Sequence, residues 1–255
     1  MKKRMVIVVA LAVLLAASSY AQTDFFALLK SGTPQEVQAA IDNGAVVSAP
    51  NANDDFRRTP LMFAASFNQN PEVISTLLRD GADIATKNLY GWTAVMFAAS
   101  GNTNPEVITT LLKAGADIKA RDSYYKGTPL MFAAGSNSNP EVISTLLKAG
   151  ADINDKSPSG ANALMFAAEA NPNPAVITLL LKAGADIDAQ DINGYTALMN
   201  AASKNQHAEV VAVILKAGAN AKTKNKKGYT AFDFAKYNRS LEDTDALKQL
   251  EEASK

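Results

Sequence analysis

One hydrophobic pattern is written five times along this chain. In the first copy an apolar stretch, Leu61 to Ala65, follows Thr59-Pro60; after a polar loop, Val73, Ile74, Leu77 and Leu78 mark one stripe at helical spacing, and Gly81-Ala82-Asp83 closes the copy. The copies occupy residues 59–84, 93–118, 128–153, 162–187 and 196–221, with starts separated by 34, 35, 34 and 34 residues. Self-similarity at that period predicts a stacked array, because one such unit cannot bury its apolar face alone. Each unit reads as two short antiparallel helices followed by an extended finger.

The helix boundaries are marked by residues with defined physical roles. Thr59 places a hydroxyl where it can cap the first helix, and Pro60 takes the first helical position, where its missing N–H is harmless; Thr128-Pro129 repeats the device. Asn70-Pro71-Glu72 starts the second helix and adds an acid against the positive end of the helix dipole. Asn104-Pro105-Glu106 and Asn139-Pro140-Glu141 copy it, whereas Asn173-Pro174-Ala175 keeps the cap without the acid. Gly81, Gly115, Gly150, Gly184 and Gly218 follow the last turn, where a left-handed residue is wanted. Ala64 and Ala65 are small enough for neighbouring helices to approach closely.

Thr59-Pro60-Leu61-Met62-Phe63-Ala64-Ala65 and Gly81-Ala82-Asp83 resemble the ankyrin repeat, whose pattern is Gly-x-Thr-Pro-Leu-His-x-Ala-Ala followed by a Gly-Ala-Asp run. The resemblance covers nearly all of the chain after residue 21 and implies an all-α ankyrin-repeat solenoid of helix-turn-helix units with β-turn fingers. Two departures stand out. The helix-connecting loop is one residue longer than the usual unit, and the family's histidine is replaced by Met62, Met96, Met131, Met165 and Met199. In the family that histidine ties neighbouring turns by hydrogen bonds, so apolar packing is expected to carry this column here. The units run over about residues 57–90, 91–125, 126–159, 160–193 and 194–227. Residues about 23–56 and 228–255 read as polar-faced caps, the latter ending in a charge-rich helix over residues 243–253.

The first 21 residues differ from the array. Lys2, Lys3 and Arg4 precede an uncharged run from Met5 to Ala17, and Ser19-x-Ala21 supplies small residues before Gln22. Thirteen apolar residues fall short of the roughly 20 that span a bilayer, so residues 1–21 read as a secretory signal peptide, with an uncleaved N-terminal anchor as the alternative, and 22–255 as one exported domain, periplasmic or extracellular. No cysteine is present, so no disulfide staples the fold. Removing three cations from 25 leaves 22 against 25 acidic residues, a net charge of −3. That balance argues against nucleic-acid or anionic-membrane binding.

Candidate chemistry is sparse. One methionine per unit cannot converge on one ion when helices lie about 8–10 Å apart, so the methionines are assigned to the core. The acids of residues 186–191 lack the glycine and distal glutamate of a calcium loop. Lys222, Lys224, Lys226 and Lys227 form a basic finger tip. His207 is the only histidine and falls in a helix-connecting loop, which rules out histidine triads and multi-histidine metal sites. No cofactor, metal or catalytic residue is expected.

The ankyrin resemblance implies binding through a concave face of finger tips and first helices. The matching positions are Phe67 on a first helix; Lys87, Leu89, Tyr90 and Trp92 on the second finger; Arg121, Tyr124, Tyr125 and Lys126 on the third; and Tyr195 and Tyr229 on the fifth and sixth. Aromatics and arginine are typical interface anchors, and Trp92 with Tyr90, Tyr124 and Tyr125 would lie on adjacent fingers. The expectation is a monomeric, non-catalytic adaptor for a protein partner. The alternatives are a periplasmic scaffold or an immunity-like inhibitor that protects or blocks another protein.

Overall fold

The computed structural model of the protein describes residues 24–255. The expected signal segment lies outside the described residues. Residues 24–28 form α1, and Pro34–Asp42 forms α2, where Thr33 and Glu36 close a reciprocal capping box. Five helix pairs follow: α3 Pro60–Phe67 with α4 Pro71–Arg79, α5 Ala94–Gly101 with α6 Pro105–Lys113, α7 Pro129–Ser136 with α8 Pro140–Lys148, α9 Ala163–Ala170 with α10 Pro174–Lys182, and α11 Ala197–Lys204 with α12 Ala208–Lys216. The chain ends in α13, Ala231–Ala235, a short 3₁₀ turn at Arg239–Leu241, and α14, Asp245–Ser254. The last helix begins two residues later than its charge pattern predicts, because Thr244 caps it through the N–H of Leu247 while Asp243 turns through φ 58°.

First helices pack in series from α3 to α13, and second helices from α2 through α4 to α14, giving an all-α solenoid with no strand among the described residues. Position in this two-layer stack decides which faces must be apolar. A first helix is flanked by a neighbour on each side and by its own second helix, so α7 buries every residue from Pro129 to Gly135. The alanine pairs are fully buried in all five units, and the methionine column is at most 1% exposed. A second helix keeps one face in water: in α4, Val73, Ile74 and Leu77 are sealed while Glu72 is exposed. Each sealed aliphatic side chain contributes about 1.5–3 kcal/mol of transfer free energy.

Between units the polar ties come from asparagine. Asn102 is fully buried, and its Nδ2 donates to the carbonyls of Ala65 (3.0 Å) and Asn68 (2.8 Å) in the preceding unit while its Oδ1 accepts from the N–H of Asn104. Asn68, Asn137, Asn171, Asn205 and Asn238 repeat the arrangement, so an unbroken ladder runs from α1 to the C-terminal cap. The carbonyls of Ala65, Ala99, Ala134, Ala168 and Ala202 lie in the last turns of first helices, where no intrahelical partner exists. A second, outer row reinforces the first: Asn104, Asn139 and Asn173 cap their second helices through Oδ1 and donate from Nδ2 to Gln69, Thr103 and Ser138 of the unit before. Apolar packing fills the methionine column as expected, but the hydrogen-bonded tie between units has moved to the loop rather than vanished.

Candidate functional site

The fingers are built on one device. Asn88, Asp191 and Asn225 each accept, through Oδ1, the backbone N–H groups two and four residues ahead, which folds the tip into a compact turn. Neighbouring tips are then pinned by backbone bonds: the N–H of Ser123 donates to Tyr90 O (2.8 Å), Ile192 to Ser159 O and Lys226 to Asn193 O. Gly91 permits the first of these, because it holds φ 77° and a Cβ there would strike the backbone N of Ser123. The third finger is one residue longer than its neighbours. Asp122, 1% exposed, compensates by accepting three backbone N–H groups, from Tyr124, Tyr125 and Gly127.

The expected anchors divide into two groups. Leu89 (75% exposed), Tyr90 (47%), Tyr124 (79%) and Tyr125 (60%) project from the paired second and third fingers, and Tyr124 and Tyr125 meet edge to face at 4.7 Å. Lys87 and Lys126 flank them in water, and Tyr229 is exposed on the last finger. Phe67, at 37% exposure, lies at the end of α3 with Lys30 over its ring at 5.5 Å. The remaining three are engaged inside the molecule. Trp92 differs most from the sequence expectation: it is half-buried, stacked on Phe132 at 4.3 Å and against Phe97 at 5.0 Å, so it joins two units rather than projecting beside Tyr90. Gly127 explains the insertion, since it occupies the position equivalent to Trp92 in the next finger and leaves no side chain there. Arg121 is clamped to Asp155 of the next finger by two bonds of 2.6 and 2.7 Å and also donates to Lys126 O, so its guanidinium is a brace between fingers. Tyr195 is half-buried against Phe234 at 5.2 Å.

Sequence reasoning passed over Arg58. It occupies the finger-closing position that carries Trp92, Tyr195 and Tyr229 in other units, and so it enters the space where those units place rings. Its guanidinium lies 4.9 Å from the ring centres of Phe63 and Phe67 and 5.6 Å from those of Phe56 and Phe97. Asp54 holds it with bonds of 2.8 and 2.7 Å, and the arginine in turn keeps the Asp54 carboxyl below its ordinary range. The position two residues after Phe56 and directly before a capping threonine was the available signal. With Phe97, Trp92, Phe132 and Phe166, these groups form an aromatic strip beneath the finger roots, interrupted in the fifth unit where Asn200 replaces phenylalanine. His207 lies exposed at the N-terminus of α12, where its side chain forms no capping bond.

The surface so described is broad and aromatic, and among the described residues no three His, Cys, Asp or Glu side chains are grouped to hold a metal ion. A family model described as ankyrin repeats (3 copies) matches residues 14–122, 87–157, 102–191 and 164–253. The chain belongs to the ankyrin-repeat family. Ankyrin repeats are generally protein–protein interaction modules and are typically not catalytic. No curated protein matches the chain. Among the described residues, no helix of this ankyrin array is long and apolar enough to cross a membrane.

Proposed function

We propose that this ankyrin array is a monomeric, non-catalytic adaptor, exported to the periplasm or beyond, that holds a protein partner along its finger tips and the adjoining side of its first helices. The observation that carries the reading is the pair of fingers bearing Leu89, Tyr90, Tyr124 and Tyr125. These side chains are exposed and apolar, yet their backbones are fixed by the Ser123–Tyr90 hydrogen bond and by the buried Asp122 carboxylate. Exposed rings on a preorganised backbone lose little conformational entropy on binding, which is the property of an interface anchor. Tyr90 also touches Phe56 of the first finger at 5.7 Å, so the patch continues toward the N-terminal cap. A standard interface of about 1,600 Å² in total needs only a few neighbouring units.

The test is crosslinking and affinity capture from the exported fraction of the native cell, with wild type and a Tyr124→Ala/Tyr125→Ala variant compared. These two rings pack on each other at the surface, so the variant keeps its fold, unlike one truncated at Trp92. Loss of two anchors lowers affinity about 30-fold, corresponding to about 2 kcal/mol. Capture of the same protein in equal yield by both chains refutes the face assigned here. Export has its own test: the mature chain begins at Gln22, and a protein recovered from the cytoplasm with Met1 in place removes that part of the reading.

A further inference from the structure

The charges on the finger tips are not placed at random. Two residues before the cap of each later first helix the backbone passes through the left-handed region, at Gly91, Gly160, Gly194 and Gly228 with φ between 77 and 85°. In the fingers on either side of Leu89 and Tyr90 the same position is Arg57, at 52°, and Lys126, at 54°. A Cβ is crowded in that conformation, so glycine is the unstrained choice, and both exceptions are exposed cations. Strain kept at a surface where glycine serves elsewhere in the same chain indicates a use for the side chain. Lys87, Lys156, Lys224 and Lys226 extend the row, all exposed, and among the described residues none of these six cations takes part in an ion pair.

The carboxylates of the tips are already engaged. Asp54 holds Arg58, Asp155 holds Arg121, Asp122 is buried on backbone N–H groups, and Asp191 closes its own turn. Asp55 stands exposed beside Arg57, and Asp83, Asp117, Asp152, Asp186 and Asp188, exposed nearer the finger roots, each accept a backbone N–H. Other exposed acids lie away from the tips: Glu72, Glu106 and Glu141 face water at the starts of second helices, and Glu251 and Glu252 do so in α14. The tips that carry the exposed rings thus present Arg57, Lys87 and Lys126, with Asp55 beside Arg57.

Building on the adaptor reading, we infer that the partner docks an acidic polypeptide segment carrying apolar side chains. Its carboxylates pair with Arg57, Lys87 and Lys126, and its apolar groups cover Leu89, Tyr90 and the Tyr124–Tyr125 pair. A cationic rim around an apolar centre steers an anionic partner and fixes its register. A polypeptide fits better than a single-stranded nucleic acid: the most exposed apolar residue of the second finger is Leu89, which offers no ring for a base to stack on, and exposed Asp55, Asp83 and Asp117 on the same three fingers oppose a polyanion laid along them.

The experiment selects a displayed library of random peptides on the full chain and measures the enriched peptides by fluorescence anisotropy. Binding to wild type is compared with Arg57→Gly/Lys87→Gln/Lys126→Gly, which removes three cations and relieves both strained positions, and with Tyr124→Ala/Tyr125→Ala. The expected result is enrichment of Asp- and Glu-rich peptides that contain aromatic or leucine residues and bind the charge variant roughly tenfold more weakly. Enriched peptides that are neutral or basic, or acidic ones that bind the charge variant unchanged, overturn the inference; if their binding is nonetheless lost with the two tyrosines, the adaptor face survives. An absence of enrichment, or peptides indifferent to both variants, overturns both. An oligothymidylate that binds as tightly as the best peptide, with the same dependence on the three cations, overturns the choice of a polypeptide.

Discussion

Removing one rung of the asparagine ladder is expected to uncouple the array at a known seam. Asn137 is 2% exposed; its Nδ2 donates to Ala99 O (3.0 Å) and Asn102 O (2.8 Å), and its Oδ1 accepts from the N–H of Asn139 (2.9 Å). Asn137→Ala therefore orphans two carbonyls and one N–H. At about 1–3 kcal/mol for each buried unsatisfied group, and with water entering the vacated space beside the exposed Ser138, the loss is about 3–5 kcal/mol. Asn139→Ala is the matched control. It removes a half-buried cap to Glu141 N (3.0 Å) and an outer bond to Thr103 O (2.7 Å), and costs about 1–2 kcal/mol. Because an array is stabilised unit by unit with nearest-neighbour coupling, the damage concentrates between the second and third units. The single tryptophan reports that seam, since Trp92 stacks across it on Phe132. Urea unfolding followed by Trp92 fluorescence and by far-ultraviolet circular dichroism should then show two transitions in Asn137→Ala, with fluorescence changing first. If Asn137→Ala costs no more than Asn139→Ala and both probes move together, the ladder is not what joins the units.

Three other perturbations isolate single features. Lys126→Gly relieves a left-handed lysine and should raise stability by about 1 kcal/mol in urea titration; a loss of stability would mean that the lysine stem packs more favourably than its backbone is strained. Arg58→Lys keeps the charge but not the plane that faces four rings and the fork that grips Asp54, so it should cost about 1–3 kcal/mol, and a neutral outcome by thermal unfolding would deny the cage a structural role. Asp233 has its carboxyl pulled down to about 2, first by the Lys236 ammonium and then by the backbone and hydroxyl of Thr230. Its folded value lies below the unfolded one, so its contribution is whole above about pH 4 and is lost as pH falls toward 2. Asp233→Asn should flatten the acid limb of the stability curve in that window, and an unchanged limb would remove the C-terminal capping box from the account.

Helix pairs and their boundaries were legible in the sequence because each is marked by residues with narrow physical roles. Asn70-Pro71-Glu72 predicts a cap, and the structure supplies it through Glu72 N at 2.9 Å. Thr93 shows the limit: it occupies the same cap position, yet its buried hydroxyl forms no capping bond, whereas Thr196, likewise without a following proline, caps through Met199 N. Asn102 escaped notice because a polar residue in a loop reads as solvated, and only the neighbouring unit's carbonyls, 34 to 37 residues earlier, make it a buried rung. Its signal was available as the spacing Asn-x-Asn-Pro, repeated at residues 68, 102, 137 and 171. Trp92 and Arg121 look like interface anchors by residue type, yet Gly127, with no side chain at the equivalent position, leaves room for the indole against Phe132, and Asp155 lies within reach of the guanidinium. Such choices depend on the next unit's side chains, which a within-unit pattern does not contain.

Over the first three units, the positions that depart from the repeat share a location. Arg57 and Lys126 replace glycine, Thr93 loses its cap bond, Gly127 replaces a ring and the third finger gains a residue, and all of these surround the finger of Leu89 and Tyr90. Over the same units the backs of the repeats hardly vary: α4, α6 and α8 share Pro-Glu-Val-Ile at their starts and bury the same three aliphatic positions. A sequence drifting without constraint would scatter its irregularities over both faces. Locally unfavourable choices gathered on one face, above a scaffold held uniform by two rows of asparagine, are the arrangement expected where stability has been exchanged for recognition.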